Sequence, residues 1–248
     1  MKTLLITGAS SGIGYATAVE AANQGWRVIA CGRNIQRLEQ LTLEHYAIEY
    51  LAFDLNDKQA CQANLANLKV DTVILNAGTA EYVDVDGFDS AVFERVFNAN
   101  YFSALNCLEV LLPNMRAGSQ FLFVDSLSRL LPFTKNQAYG SSKAALYYLA
   151  KSLEVDLKDR HIAVKTVSPG FVKTPLTDKN TFDMPMCISA EEAAVAMMKA
   201  VDAKSATHYF PFIFSLILRV LSLLPEVIKS RIARALRGGE LTARESQV

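Results

Sequence analysis

Apolar residues in this chain fall into short solid runs separated by longer segments in which they recur every three or four positions. The runs lie at 3–7 (TLLIT), 27–31 (RVIAC), 48–53 (IEYLAF), 72–75 (TVIL), 121–124 (FLFV) and 163–167 (AVKTV). Solid runs of this length, bounded by turn residues, read as strands buried on both faces. Helical spacing marks a segment ending at Ala22, then 35–44, 58–68, 91–112 (stopped by Pro113) and the stretch from Tyr139 to about Lys158. Strand and helix alternate throughout. That order predicts an α/β fold: a single domain built on a Rossmann-type parallel sheet, doubly wound, with helices on both faces. Residues 1–205 are assigned to the main body of the domain, with a loop at 177–190. Residues 206–248 form a C-terminal strand and an apolar, amphipathic helical extension of the same domain. Ser189, followed by Glu191 and Glu192, predicts an N-cap and an acidic first turn for a helix reaching Val201.

Ligands of such sheets bind at the carboxyl ends of the strands, and that is where the chemistry-bearing residues fall. After the first strand comes Gly8-Ala9-Ser10-Ser11-Gly12-Ile13-Gly14, opening a helix. Glycines let the backbone approach a pyrophosphate, and the helix N-terminus offers free N–H groups and a positive dipole end. The second strand ends in Gly32-Arg33-Asn34, with no acidic residue between Val28 and Ile35 to hold a ribose 2′-hydroxyl. Arg33 suits a 2′-phosphate instead, so NADP(H) is expected over NAD(H). The third strand ends at Asp54-Leu55, the fourth at Asn76-Ala77-Gly78, and the sixth at Ser168-Pro169-Gly170-Phe171-Val172-Lys173-Thr174.

Ser126 follows the fifth strand, and thirteen residues later Tyr139 and Lys143 stand four apart at the head of a helix. Positions i and i+4 share a helix face, and a nearby ammonium favours a phenolate. Tyr139 is thereby a candidate proton donor and acceptor, although the same spacing describes an ordinary helix with an exposed lysine. Asn100 lies among apolar residues of the 91–112 helix and needs partners if buried.

Together these motifs resemble the short-chain dehydrogenase/reductase family in its compact, non-extended branch. Thr7-Gly8-x-x-x-Gly12-Ile13-Gly14 is similar to the family's cofactor turn and Asn76-Ala77-Gly78 to its strand-four motif. Asn100, Ser126, Tyr139 and Lys143 match its catalytic tetrad, and Pro169-Gly170 with Thr174 its nicotinamide-side loop. The resemblance spans about residues 3–176, makes 1–205 the NADP-binding catalytic part with 177–190 as its substrate loop, and implies roles. Tyr139 would exchange a proton with the substrate oxygen, Ser126 would orient that oxygen, and Asn100 would support a proton-relay water. Lys143 would hold the nicotinamide ribose and depress the Tyr139 pKa. Gly8, Ser10, Ser11, Gly12, Ile13, Gly14, Arg33, Asp54, Leu55, Asn76, Ala77, Gly78, Pro169, Gly170, Val172 and Thr174 would line the cofactor with Tyr139 and Lys143. Two family glycines are replaced, by Arg129 and Ser103. Arg129 falls near the expected substrate mouth, where it shapes entry or points to solvent.

Composition narrows the choice of partners. Twenty-five basic and 25 acidic side chains leave a net charge of zero, which argues against nucleic acid. Cys31, Cys61, Cys107 and Cys187 are scattered, and His45, His161 and His208 stand alone, so no metal is expected. No signal-peptide pattern opens the chain, and a cytoplasmic setting is expected. Residues 209–228 (YFPFIFSLILRVLSLLPEVI) are interrupted by Arg219 and Pro225 and read as an amphipathic helix, with Ser215, Arg219 and Ser222 on a polar stripe. Lys229, Arg231, Arg234 and Arg237 follow. This pattern fits a subunit contact, a lid over a greasy substrate, a peripheral contact with anionic lipid, or plain core. Gly238-Gly239 is expected to end the structured part, with a frayed tail from 240 to 248. The expected function is NADP(H)-dependent interconversion of a carbonyl and an alcohol on a lipophilic small molecule, in a homo-oligomer. The family's tetramer is not assumed, because the tail differs from the segment that closes it. The rival is a sensor or scaffold that binds NADP(H) without turnover. A sugar-nucleotide epimerase of the extended branch fits less well, given the glycine spacing and the short C-terminal part.

Overall fold

A computed structural model describes residues 1–180 and 183–245, with side chains described as far as 235. Seven strands form one sheet: β1 (Thr3–Thr7), β2 (Arg27–Gly32), β3 (Ile48–Ala52), β4 (Thr72–Leu75), β5 (Gln120–Val124), β6 (Ala163–Pro169) and β7 (Thr207–Phe210). Their order is β3-β2-β1-β4-β5-β6-β7, and every neighbouring pair is parallel. The chain winds outward in one direction from β1 and then in the other from β4. The β1–β4 boundary is therefore the switch point where a crevice opens at the carboxyl ends.

Strand residues alternate between two apolar layers, as the two-residue period requires. Leu5, Val73, Phe121, Phe123 and Val164 pack with Cys107, Leu108 and Leu111 of α5 (Ser103–Leu111) and Leu146 and Ala150 of α6 (Gln137–Asp156). Leu4, Ile6, Ile74, Leu122 and Val167 face the other way, against Ala18 and Ala21 of α1 (Gly12–Asn23) and Met197 and Val201 of α7 (Ala190–Asp202). Both layers being apolar is why these strands read as solid runs. Local caps set the helix starts. Asn34 accepts from the Arg37 N–H to open α2 (Ile35–Glu44), and Asp57 accepts from Gln59 and Ala60 to open α3 (Lys58–Leu65). Ser189 and Glu192 form a reciprocal capping box on α7, where the sequence placed the N-cap.

The 91–112 segment is not one regular helix. It divides into α4 (Ser90–Phe97), a π-helical turn at Asn98–Phe102, and α5, followed by a 3-10 turn at Leu112–Asn114. The wider turn carries Asn100 to the inside, fully buried.

The C-terminal extension departs further from expectation. It consists of α8 (Phe212–Ser222) and α9 (Glu226–Glu245), separated at Leu223, Leu224 and Pro225. The expected polar stripe of α8 does not share one environment: Ser215 is buried, its hydroxyl donating to the Phe212 carbonyl at 2.8 Å, whereas Ser222 is half-buried and Arg219 exposed. Phe212, Ile213, Leu216, Ile217 and Val220 face out. A serine whose hydroxyl is satisfied by its own helix costs little to bury, so packing rather than polarity sets the orientation. The backbone of α9 continues through Gly238-Gly239 to Glu245, past the expected stop; a helical glycine costs only about 1 kcal/mol. Residues 246–248 lie outside the described residues, as do 181–182 of the expected substrate loop. No helix among the described residues is long and apolar enough to cross a membrane.

Candidate active site

Thr7 stitches β1 to β4 at the head of the crevice. Its hydroxyl oxygen accepts from the Asn76 and Ala77 N–H groups at 3.0 Å, and Asn76 Nδ2 donates to the Thr7 carbonyl at 3.0 Å. The glycine turn folds back on this corner. Gly8 and Gly12 have φ of 70° and 57°, the left-handed region that glycine enters at low cost. A Cβ on Gly14 would sit 2.3 Å from the Gly8 carbonyl oxygen and 2.6 Å from Asn76 Nδ2, so only glycine lets α1 start this close. Ser11, at the N-cap, is extended and makes no side-chain capping bond. The first-turn N–H groups of α1 are thus open to an anionic ligand.

The other cofactor candidates converge on the same crevice. A Cβ on Gly12 would meet Thr174 Cγ2 at 3.1 Å, which places the loop after β6 against the turn. Thr177 pins that loop, donating from its hydroxyl to the Val172 carbonyl at 2.7 Å. Ser10 abuts Gly32 at the end of β2, next to Arg33. Arg33 is 76% exposed, and its Nη1 lies 4.0 Å from Asp54 Oδ2, a contact too open to hold the guanidinium. The side chains of Leu55 and Val172 belong to the core. The Leu55 carbonyl also accepts from Asn106 Nδ2 at 2.8 Å. Packing claims these two side chains, so each can face a cofactor only through its backbone. Free N–H groups and close-approach glycines together fit the pyrophosphate of a dinucleotide, with Arg33 exposed at the end of β2.

Ser126, Tyr139, Lys143 and Asn100 are brought together beside this crevice. Ser126 begins a short 3-10 turn at the end of β5, and its hydroxyl oxygen accepts from the Ser128 N–H at 3.1 Å. Lys143 is 4% exposed; its ammonium donates to the Val124 carbonyl at 2.8 Å and lies 5.8 Å from the Tyr139 ring centre. A Cβ on Gly78 would be 2.8 Å from Asn100 Oδ1 and 3.4 Å from Lys143 Nζ, so the strand-four motif borders both residues. The Asn100 amide is fully engaged. Its Oδ1 accepts from the Thr79 N–H at 2.6 Å, and its Nδ2 donates to the Thr79 carbonyl at 3.0 Å and to Ser142 Oγ at 2.9 Å. Ser103, in place of a family glycine, donates to the Ala99 carbonyl at 2.7 Å within the π turn.

The electrostatics reverse one expectation. Burial pushes the Tyr139 hydroxyl above its ordinary value of 10.0; hydrogen bonding to Ser126 pulls it back, and the Asp125 charge raises it further. Lys143 is itself pushed down to about 8 by burial, against the pull of Asp125. A desolvated ammonium engaged with a backbone carbonyl is poorly placed to lower its neighbour, so Tyr139 keeps its proton at neutral pH. Burial likewise pushes Asp125 up to about 6, against the pull of Arg129.

Arg129 is turned away from the substrate mouth. It pairs with Asp125 at 2.8 Å and stacks on the Tyr147 ring at 3.4 Å. Asp125 and Ser142 are site residues to which sequence reasoning gave no role. The i, i+4 spacing of Asp125 and Arg129 was a signal for the first; Ser142 left none, since its bond to Asn100 joins positions 42 apart.

Comparison with known proteins agrees with this geometry. The family model described as short chain dehydrogenase matches residues 2–184. An uncharacterised oxidoreductase of Myxococcus xanthus is 31% identical over 247 residues, covering 95% of this chain and 98% of the relative. An NADPH-dependent 1-acyldihydroxyacetone phosphate reductase of Saccharomyces cerevisiae is 31% identical over 189 residues, covering 72% of this chain and 63% of its own. The closed form of serine dehydrogenase complexed with NADP+ superposes with a TM-score of 0.76 at 22% identity, over 84% of this chain and 94% of that one, a likeness of fold. With the crevice, the turn and the family match in agreement, this chain belongs to the short-chain dehydrogenase family of oxidoreductases.

Proposed function

We propose that this protein is an NADP(H)-dependent oxidoreductase that interconverts a carbonyl and an alcohol, with Tyr139 exchanging the proton of the substrate oxygen. The observation that carries the reading is the convergence of Ser126, Tyr139 and Lys143 beside the Gly8–Gly14 turn. The Tyr139 phenol can give its proton to the oxygen of a carbonyl as hydride reaches the carbon, and take it back in the reverse direction. The cofactor, when bound, supplies the hydride. The N–H groups opening α1 hold the pyrophosphate, Arg33 the 2′-phosphate, and Lys143 the nicotinamide ribose. Asp54, Leu55, Asn76, Ala77 and Gly78 line the nucleotide, with Pro169, Gly170, Val172 and Thr174 on the nicotinamide side. Ser126 orients the carbonyl oxygen.

A lipophilic substrate is supported by an apolar cluster that adjoins Ser126. Leu127, Leu131 and Leu218 are buried together, with Leu130, Phe133, Tyr209, Phe214 and Leu221 packed around them. The reductase of S. cerevisiae similar to this chain is named for an acylated substrate. The protein is read as a homo-oligomer, which its mass in solution tests.

Titration with NADPH and NADH, followed by nicotinamide fluorescence, tests the cofactor assignment, with Arg33→Ala alongside. NADPH preference that collapses in the variant is expected, followed by NADPH oxidation in the presence of long-chain aldehydes or ketones. Binding of neither nucleotide rejects the reading; equal binding of both removes the role of Arg33.

A further inference from the structure

We propose that the outward face of α8, with the basic start of α9, docks this protein onto an anionic lipid bilayer. The face is apolar where a helix of a soluble protein is normally polar. Ile213, Leu216, Ile217 and Val220 recur at i, i+3, i+4 and i+7 and are 45–63% exposed; Phe212 and Leu223 beside them are 73% and 84% exposed. The inner face of the same helix is spent on the fold. Leu218 is buried against Leu127 and Leu131, Phe214 stacks on Phe171 at 5.5 Å, and the Ser215 hydroxyl closes on its own helix. Rolling α8 to hide its apolar side would break those contacts. Contiguous exposed apolar surface of this kind marks an interaction site.

Charge selects the occupant. Residues 209–237 contain Arg219, Lys229, Arg231, Arg234 and Arg237 but only one acid, Glu226, which pairs with the largely buried Lys229 and leaves the arginines unbalanced in a chain whose overall charge is zero. Arg219 is exposed at the rim of the apolar face, its guanidinium 4.5 Å over the Tyr209 ring, and Arg231 and Arg234 are exposed on α9. Apolar side chains flanked by exposed arginines match the two layers of an anionic membrane surface, acyl chains below and phosphates above. A symmetric contact with a second copy would instead set this excess of positive charge against itself. Docking also has a consequence for position. α8 rests on Leu127, the residue after Ser126, and a Cβ on Gly170 would lie 2.9 Å from Phe214, so the seated helix holds the candidate active site close to the bilayer. The docking itself does not rest on the oxidoreductase reading, and its test needs neither cofactor nor turnover.

The test is co-sedimentation of the full-length protein with vesicles of phosphatidylcholine alone, and of phosphatidylcholine and phosphatidylglycerol in equal parts. The protein should pellet with the anionic vesicles, weakly or not at all with the neutral ones, and should be released by salt. Ile213→Asp with Val220→Asp, and separately Arg231→Glu with Arg234→Glu, should each weaken binding by about tenfold or more. Melting curves and sedimentation equilibrium accompany each variant. The proposal is overturned if the unaltered protein stays in the supernatant, or if both variants pellet as it does. It is equally overturned if the apolar variant halves the mass of the protein in solution, which makes the face a subunit contact. A large fall in melting temperature for that variant would show the face to be core.

Discussion

Asp125 and Arg129 form an ion pair at 2.8 Å, with side chains 0% and 9% exposed. The guanidinium also lies over the Tyr147 ring and reaches Ser168 Oγ at 3.4 Å and the Tyr209 hydroxyl at 3.5 Å. One arginine thereby joins the end of β5 to α6, β6 and β7, directly behind Ser126. Where the family has a glycine, this chain has a strut.

Removing the strut strands a carboxylate in the interior. Arg129→Ala is expected to cost about 3–5 kcal/mol, the usual result of breaking one side of a buried pair. Replacing both partners by apolar residues, Asp125→Leu with Arg129→Met, should recover much of that loss. Urea unfolding curves of the three proteins measure it. A single variant within about 0.5 kcal/mol of the parent would mean that the pair carries no strain or support.

Lys143 is predicted to weaken the fold it serves. Its folded pKa, about 8, lies below the ordinary 10.5, so the native state binds fewer protons than the unfolded chain between those values. Its contribution to stability is therefore present above about pH 10.5 and lost as pH falls through 8. Lys143→Met should be the more stable protein at pH 7, by up to about 3 kcal/mol, and the gap should close by pH 10.5 while turnover is lost at every pH. Denaturant curves at the two pH values decide; an unchanged gap would show that the ammonium is not desolvated.

Tyr139→Phe should lower carbonyl reduction by about 10²–10⁴-fold, the range for losing a positioned proton donor. The ring stays, so NADPH affinity should change little. Steady-state rates and nucleotide titration on the same preparation separate the two effects. A variant that turns over normally assigns the proton to another group.

Asn100→Leu removes three hydrogen bonds at once, two to the Thr79 backbone and one to Ser142. The stranded partners should cost about 2 kcal/mol or more, lowering Tm by roughly 5 °C in a domain of this size. Calorimetry reads this directly, and Asn100→Asp should recover part of it through the Thr79 N–H alone.

The sequence alone determined the sheet and its ligand edge. Both faces of the sheet are covered, so its strands are nearly continuous apolar runs, and glycine must stand at 14 where the turn folds back on the Gly8 carbonyl; such requirements act within a few residues and leave a local mark. Ser126, Tyr139, Lys143 and Asn100 were legible as candidates for the same reason. The tertiary structure alone decided what depends on contacts between distant segments. Asn100 meets Thr79 and Ser142, Arg129 turns inward to Asp125 and Tyr147, and burial reverses the expected shift at Tyr139. Periodicity within α8 could locate an amphipathic helix but not say which side packs. Leu127 and Leu131, some eighty residues earlier, fixed that choice by burying Leu218 and leaving Ile213 and Val220 in the open.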